Sequence, residues 1–433
     1  MHPGGPPLRI ALLAYRGKPH CGGQGVYIRH LSRALVEMGH HVEVLGGQPY
    51  PNLDERVPLV ELPSLDIYNE HFPMRMPGIW ELRSLPDFLE VGAFSTGTFP
   101  EPLAFSVRAW LHLRHRRHEF DLVHDNQSLG YGLIGIQRSG LPVTCTIHHP
   151  ITVDRRLEVE HAETPFQRLA KRRWYGFTSM QTRVARRLEQ VITVSESSKM
   201  DVHRDHRVPL DRMQVVPVGV DPDLFRPLPE VRSRPGQVIT TASADVAMKG
   251  LVFLLEAMAK IRTERDAHLV VIGRPKDEGP TARRIAELGL TDAVEFVSGV
   301  PDRRIVELYS ESEVAVVPSL YEGFSLPAIE AMSCGVPLVA TTGGALPEVV
   351  GEDGAALLVP PGDAQELARA VARVLDDPDL GRRTGAAGRT RAIERWSWRV
   401  TAERTTEQYR ALLASAARRG ERPGRRRQLA GSR

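Results

Sequence analysis

The stretch Pro318-Ser319-Leu320-Tyr321-Glu322-Gly323-Phe324-Ser325-Leu326-Pro327-Ala328-Ile329-Glu330-Ala331-Met332 holds the residues best suited to chemistry. A buried-strand pattern precedes it and a helical pattern follows. It is therefore expected at the carboxyl edge of a sheet, where open α/β folds bind ligands. Pro327 suits the first helical position, which would leave the peptide N–H groups around Phe324, Ser325 and Leu326 unpaired and pointing outward as an anion site. Glu330 is expected in the first helical turn and Glu322 in the loop before it, so two carboxylates could flank one polyhydroxyl ligand. Read alone, Glu330 merely complements the helix dipole, worth about 0.3 to 1 kcal/mol, and Glu322 is an exposed loop carboxylate. Two glutamates, an exposed glycine and a proline start meeting at one strand end favour a ligand. Lys249, in Met248-Lys249-Gly250 at another helix start, reads alone as a solvated surface lysine.

These residues need a scaffold, and the apolar patterning supplies one. The N-terminal half opens with a strand pattern at 8–14, a glycine cluster at Gly22, Gly23 and Gly25, a helical pattern at 26–37 and a strand at 42–45. That order is a βαβ unit, which implies a parallel sheet covered on both faces. Further strands are expected at 122–124, 143–147 and 191–194. Residues 48–102 read as a long irregular segment dense in proline and aromatics. Pro222, Pro227, Pro229 and Pro235 mark a linker at 220–236. A second alternation follows, with strands at 238–241, 268–272, 294–297, 314–317, 337–340 and 356–359. Helices are expected between them at 251–261, 282–288, 303–309, 327–332 and 364–375. The fold class is α/β, with two Rossmann-like, doubly wound domains: 1–222, which a helix at 397–417 rejoins, and 223–396. Residues 418–433 read as a basic, solvated tail.

The chain has 433 residues, long enough for two cores. Its 42% hydrophobic and 25% charged composition is globular. No apolar run approaches the roughly 20 residues that span a bilayer, and the N-terminus lacks a secretory pattern. Three scattered cysteines give neither a disulfide framework nor metal-ligand spacing, which fits a reducing cytoplasm and no metal. A net charge of +3 argues against a nucleic-acid partner. Gly22-Gly23-Gln24-Gly25 lacks the dinucleotide spacing, which counts against an oxidoreductase.

The 318–332 segment resembles the motif of retaining glycosyltransferases of family 4, in which two glutamates are separated by seven residues. Gly335-Val336-Pro337-Leu338-Val339-Ala340-Thr341 and Gly343-Gly344-Ala345-Leu346-Pro347-Glu348-Val349-Val350 carry the likeness further. It extends over nearly the whole chain, from Gly22-Gly23 to Trp396. The resemblance implies the GT-B architecture, two domains facing across a cleft, and retaining, metal-independent sugar transfer without a cofactor. The donor would be a nucleotide-diphosphate sugar and the acceptor a hydroxyl of a small molecule, glycan or lipid.

Roles follow by the same resemblance. Glu322 would hydrogen-bond the donor sugar, and the backbone of Gly323, Phe324, Ser325 and Leu326 would touch sugar and diphosphate. Glu330 would hold the ribose, and Lys249 would neutralise the diphosphate. Gly22 and Gly23 would face that diphosphate. His148 would lie beside the reacting sugar; apart from the resemblance, His124 and Asp125 end a neighbouring strand and His149 follows the next, so all three are expected to face the acceptor. One departure stands out: the family carries an Arg five residues before the Lys, where this chain has Ala244, and Arg274 is a candidate substitute. Nucleotide-sugar epimerases and sugar phosphorylases share the scaffold, and a non-catalytic clamp is the alternative from another class. Retention of Glu322, Glu330 and Lys249 favours the enzyme. Basic runs at 114–117, 168–173 and 183–187 suggest peripheral contact with an anionic membrane or, more simply, charged outer helix faces. Tyr50, Tyr68, Phe72, Trp80, Phe88, Phe94 and Phe99 make 48–102 the expected acceptor side.

Overall fold

The computed structural model describes residues 5–17, 23–68, 74–160, 162, 164–242, 244–276 and 279–420. Gly22, Phe72, Ser243 and residues 421–433 of the expected tail lie outside the described residues. The chain divides into two compact units, one of residues 1–192, 202–214 and 402–433, the other of residues 193–201 and 215–401. Among the described residues no helix is long and apolar enough to cross a membrane.

The strands of unit 1 are β1 (Arg9–Ala14), β2 (His41–Gly46), β3 (Leu59–Glu61), β4 (Leu122–Asn126), β5 (Val143–Ile147), β6 (Gln190–Thr193) and β7 (Met213–Val215). They form one sheet in the order β3-β2-β1-β4-β5-β6-β7. Around it lie α1 (Gly23–Glu37), α2 (Leu85–Ser95), α3 (Glu101–Leu113), α4 (Gly132–Arg138), α5 (Thr152–Glu160), α6 (Pro165–Trp174), α7 (Thr178–Ala185) and α8 (Glu196–His206), whose first turns belong to unit 2. Strands β4 and β5 are buried at every position. Near-continuous apolar runs such as 10–14 are what a sheet covered on both faces requires. Leu13, Val123, Val143 and Ile147 meet Phe105, Leu113, Leu133 and Ile136 from α3 and α4 in one core.

Unit 2 holds β8 (Gln237–Thr241), β9 (His268–Ile272), β10 (Val294–Val297), β11 (Val314–Val317), β12 (Leu338–Thr341) and β13 (Leu357–Val359). They are ordered β10-β9-β8-β11-β12-β13 and every pairing is parallel. The helices are α9 (Leu251–Ile261), α10 (Pro280–Glu287), α11 (Asp302–Glu311), α12 (Leu326–Ser333), α13 (Leu346–Val350), α14 (Ala364–Asp376), α15 (Pro378–Arg395) and α16 (Trp398–Gly420), which enters unit 1 at Ala402. In α14 the buried residues Ala364, Leu367, Ala368 and Val371 keep the spacing that puts one face on the core. Asp363 caps that helix by accepting from the N–H groups of Gln365 and Glu366. Both sheets reverse direction at an internal pair, β1/β4 in unit 1 and β8/β11 in unit 2. A crevice opens at such a switch point, beyond the carboxyl ends of the strands.

Three expectations are corrected here. Residues 48–102 are not irregular throughout, since β3, a helical turn at Ile79–Glu81, α2 and the start of α3 fall inside them. Helix α2 escaped the apolar pattern because it is inverted. Its carboxylates Asp87 and Glu90 point inward onto Arg108 at 2.7 Å each, while Leu85 and Phe88 are exposed. Helix α12 begins at Leu326, with Ser325 as its cap, so Pro327 takes the second helical position and Glu330 the second turn.

Candidate functional site

The switch point of unit 2 brings together the loops that follow β8 and β11. After β8 the chain makes a turn at Ala247–Lys249 and passes through Gly250 into α9. Gly250 has φ 65°, and a Cβ there would lie 2.0 Å from the carbonyl oxygen of Pro318, so only glycine fits. Leu320 N–H donates to the carbonyl of Met248 at 2.8 Å. These two constraints hold Lys249 against the loop after β11. Its Nζ donates to Glu322 Oε1 at 2.8 Å, and Ser319 Oγ donates to the same oxygen at 2.7 Å.

Glu322 is buried and is fixed through its backbone as well. Its carbonyl accepts from Ala345 N–H at 2.9 Å. Gly344, at φ 64°, lets the two segments approach, since a Cβ there would come within 2.2 Å of that carbonyl oxygen. The 343–345 segment thus supports the carboxylate from behind. Ser325 adopts φ 96°, ψ 88°, and its hydroxyl accepts from Ala328 N–H. A left-handed non-glycine residue costs on the order of 1 kcal/mol and marks a backbone held by its surroundings. Among the described residues the N–H groups of Gly323, Phe324, Ser325 and Leu326 meet no acceptor, which is the arrangement an anion requires. The Phe324 ring does not share that exposure; it is buried edge-on against Trp396, with centroids 5.4 Å apart.

Glu330 is half-buried in the second turn of α12, too far along to complement the helix dipole. Burial, with a smaller contribution from Asp302, pushes its carboxyl up to about 7. A carboxyl so poised is a functional-site candidate. Arg274 follows β9, is exposed, and makes no ion pair among the described residues.

Two serines outside the motifs also meet the 319–325 loop. Ser195 Oγ and Ser198 Oγ both donate to the carbonyl of Gly323, at 2.6 and 3.1 Å, and both residues are buried. Glu348 accepts from the N–H groups of Glu196 and Ser197, two donors that the start of α8 leaves orphaned. Tyr321 Oη donates to Asp201 at 2.6 Å. Such contacts join positions more than a hundred residues apart, and no local pattern announces them.

In unit 1, Gly23 opens α1 and is exposed. His148 follows β5, with Nε2 2.8 Å from Asn126 Oδ1 and its ring edge-on to Tyr27 at 4.8 Å. Asn126 Nδ2 donates to the Gln24 carbonyl, which orients its amide and assigns the ring proton to Nε2. Burial, then His149 and His124, pull the His148 imidazole down to about 3, so it is neutral at physiological pH. His149 Nε2 pairs with Asp154 at 2.9 Å. His124 and Asp125 lie inside the fold, not at its surface. His124 spans Tyr409 Oη at 2.6 Å and Thr146 Oγ1 at 2.8 Å, and burial lowers it to about 3. Asp125 accepts from Ser128 Oγ, Leu129 N–H and Cys145 Sγ, and burial raises it to about 6. Among the described residues no group of three or more His, Cys, Asp or Glu side chains is arranged to hold a metal ion.

Two doubly wound α/β units, with a Lys–Glu pair and free peptide N–H groups at the second switch point, define the class. Residues 231–391 match the family described as Glycosyl transferases group 1, and residues 21–224 match Glycosyltransferase Family 4. The chain is 50% identical over 413 residues to the MMP alpha-(1->4)-mannosyltransferase of Mycolicibacterium hassiacum, covering 95% of this chain and 100% of that protein. It is 26% identical to a D-inositol 3-phosphate glycosyltransferase of Streptomyces scabiei, over 94% and 92% of the two chains. Among solved structures, sucrose-phosphate synthase of Thermosynechococcus elongatus superposes with a TM-score of 0.71 at 25% identity, covering 94% of this chain and 100% of that one. Anabaena HepE in complex with UDP-glucose gives 0.70 at 19% identity, over 93% and 100% of the chains, a likeness of fold. The chain belongs to glycosyltransferase family 4 and has the GT-B architecture.

Proposed function

We propose that the chain transfers a mannosyl group from a nucleotide-diphosphate donor to a sugar hydroxyl, forming an α-(1→4) link with retention at the anomeric carbon. The observation that carries this reading is the Lys249–Glu322 pair beside the unpaired N–H groups of 323–326. The name of the Mycolicibacterium relative supports the sugar and the linkage. In this reading the N–H groups and Lys249 hold the diphosphate, Glu322 accepts from sugar hydroxyls, and Glu330 accepts from the ribose. Arg274 supplies the charge missing at Ala244. Neutral His148 lies beside the reacting sugar.

The bond from the anomeric carbon to the diphosphate oxygen breaks while the acceptor oxygen bonds to the same face. The acceptor proton passes to the departing diphosphate oxygen. No enzyme nucleophile and no metal is required, and catalysis rests on positioning and on Lys249 meeting the charge that builds on the leaving group. The run with exposed Met76, Ile79, Trp80 and Phe88 suits an acceptor sugar, whose apolar faces stack on aromatic rings. Phe94 and Phe99 instead pack on Tyr68 as part of the unit's own structure.

Thermal unfolding in a panel of nucleoside diphosphate sugars tests the donor. A specific donor at a hundredfold excess over its Kd stabilises by roughly 2.7 kcal/mol, a shift of several degrees. A mannosyl donor should give the largest shift. Equal shifts with all donors, or none, would remove the donor assignment.

A further inference from the structure

A groove of about 480 Å³ in unit 1 uses no residue of the proposed donor or acceptor site, and its lining includes Trp110 from α3, Tyr131, Ile134 and Arg138 from α4 and its start, and Arg183 and Arg187 of the basic run at α7. Its floor is built by close helix packing. A Cβ on Gly132 would lie 1.9 Å from the Ser106 carbonyl oxygen, and one on Gly135 would lie 2.7 Å from the Trp110 indole. The indole is thereby pressed against α4, a rigid apolar wall. Arg183 Nη1 donates to Tyr131 Oη at 3.2 Å, and Arg187 Nη1 to the Arg183 carbonyl at 3.1 Å.

The charge of this groove is what needs an explanation. Elsewhere in the unit Arg108 pairs with Asp87 and Glu90, and Arg116 with Glu43 and Glu119, whereas Arg114, Arg117 and Arg186 join no carboxylate among the described residues. Arg138, Arg183 and Arg187 have none among the described residues, and no acidic side chain lines the groove. Arginine near a helix C-terminus complements the dipole, which accounts for Arg138 in the last turn of α4 and Arg183 in the last turn of α7. It does not account for Arg187 or for the gathering of all three guanidinium groups around a single aromatic-walled space.

We infer that this groove binds a phosphorylated sugar, with its phosphomonoester held by Arg138, Arg183 and Arg187 and its ring lying on Trp110 and Tyr131. Guanidinium groups form charge-assisted, bidentate bonds to phosphate, and aromatic rings receive the apolar face of a sugar. A volume of 480 Å³ is in the range of small-molecule sites. The site is independent of the donor assignment, because none of its residues takes part in that reading.

The test uses the full chain and glucose 6-phosphate, with glucose and inorganic phosphate as the two separated halves of the probe, read by calorimetry and by Trp110 fluorescence. Saturable binding of the sugar phosphate is expected at millimolar concentration or below, at least tenfold tighter than either half. Arg183→Gln and Arg138→Gln should each weaken it about tenfold, the effect of one charge-assisted bond. Trp110→Phe should abolish the fluorescence response while leaving measurable binding, and Lys249→Ala should bind as the parent does. All four positions are at least partly exposed, and far-UV circular dichroism verifies their folding. Three results would each overturn the inference: no saturable binding; a loss in Lys249→Ala instead of the arginine variants, which locates the phosphate at the donor residues; or inorganic phosphate binding as tightly as the sugar phosphate.

Discussion

Lys249→Ala is expected to lower turnover by about a hundredfold or more and to raise KM far less, since in the proposed reading the lysine meets a charge that is greatest as the diphosphate departs. The structure adds a cost in stability. Glu322 is buried, and among the described residues Lys249 Nζ is one of two side-chain partners of its carboxylate, with Ser319 Oγ the other. Removing the ammonium leaves the carboxylate on a single hydroxyl, a penalty of about 1 to 3 kcal/mol. Lys249→Ala should therefore unfold earlier than the parent, and the double variant with Glu322→Gln should recover part of that loss without recovering turnover. Steady-state kinetics beside thermal unfolding separates the two effects. Parental turnover in Lys249→Ala would remove the lysine from the reaction.

The second large effect belongs to Glu330 and depends on pH. Its folded carboxyl titrates at about 7 against an ordinary 4.5. Between those values the folded chain keeps a proton that the unfolded chain has released. The stability from Glu330 is thus complete below pH 4.5 and is lost as pH rises through 7. Glu330→Gln should stabilise the chain at pH 8 by about 2 kcal/mol relative to its effect at pH 4.5, the size of a shift of this order at a half-buried site. Ligand binding runs the other way. In the proposed reading Glu330 accepts from ribose hydroxyls, which favour the carboxylate, so affinity for a nucleotide sugar should rise up to about tenfold between pH 6 and pH 8, following the ionised fraction. A flat profile is expected for Glu330→Gln, with weaker binding at pH 8. An equally steep profile in that variant would assign the titration to another group.

Much of this was legible in the sequence, for identifiable reasons. Both units are parallel sheets buried on two faces, so their strands are short apolar runs between helical patterns, and β5, β9, β10, β11 and α9 fall where the patterning puts them. Failures came where polarity and burial are exchanged. Helix α2 turns Asp87 and Glu90 inward to neutralise Arg108 and leaves Leu85 and Phe88 outside, so its apolar period points the wrong way. Helix α12 starts one residue early because Ser325 takes a left-handed conformation, which composition does not encode, and Glu330 moves to the second turn. His124 and Asp125 looked like edge residues because they end a strand. They are enclosed because α16 brings Tyr409 onto the imidazole from 285 residues away, while Ser128 and Cys145 take up the carboxylate. Lys249 and Glu322 were each singled out by their motifs. Their pairing across 73 residues is a product of the β8/β11 reversal, which appears only in the sheet.

Retaining transfer of mannose from a nucleotide-diphosphate donor can be followed by proton NMR of the first product formed from a nucleoside diphosphate α-mannose and a short α-(1→4)-mannoside. A new α-anomeric signal is expected, with C4 of the acceptor's terminal mannose shifted by glycosylation, appearing in step with release of the nucleoside diphosphate and persisting with a chelator present. A β-anomeric product, or release of free sugar phosphate with no new glycosidic bond, would contradict it.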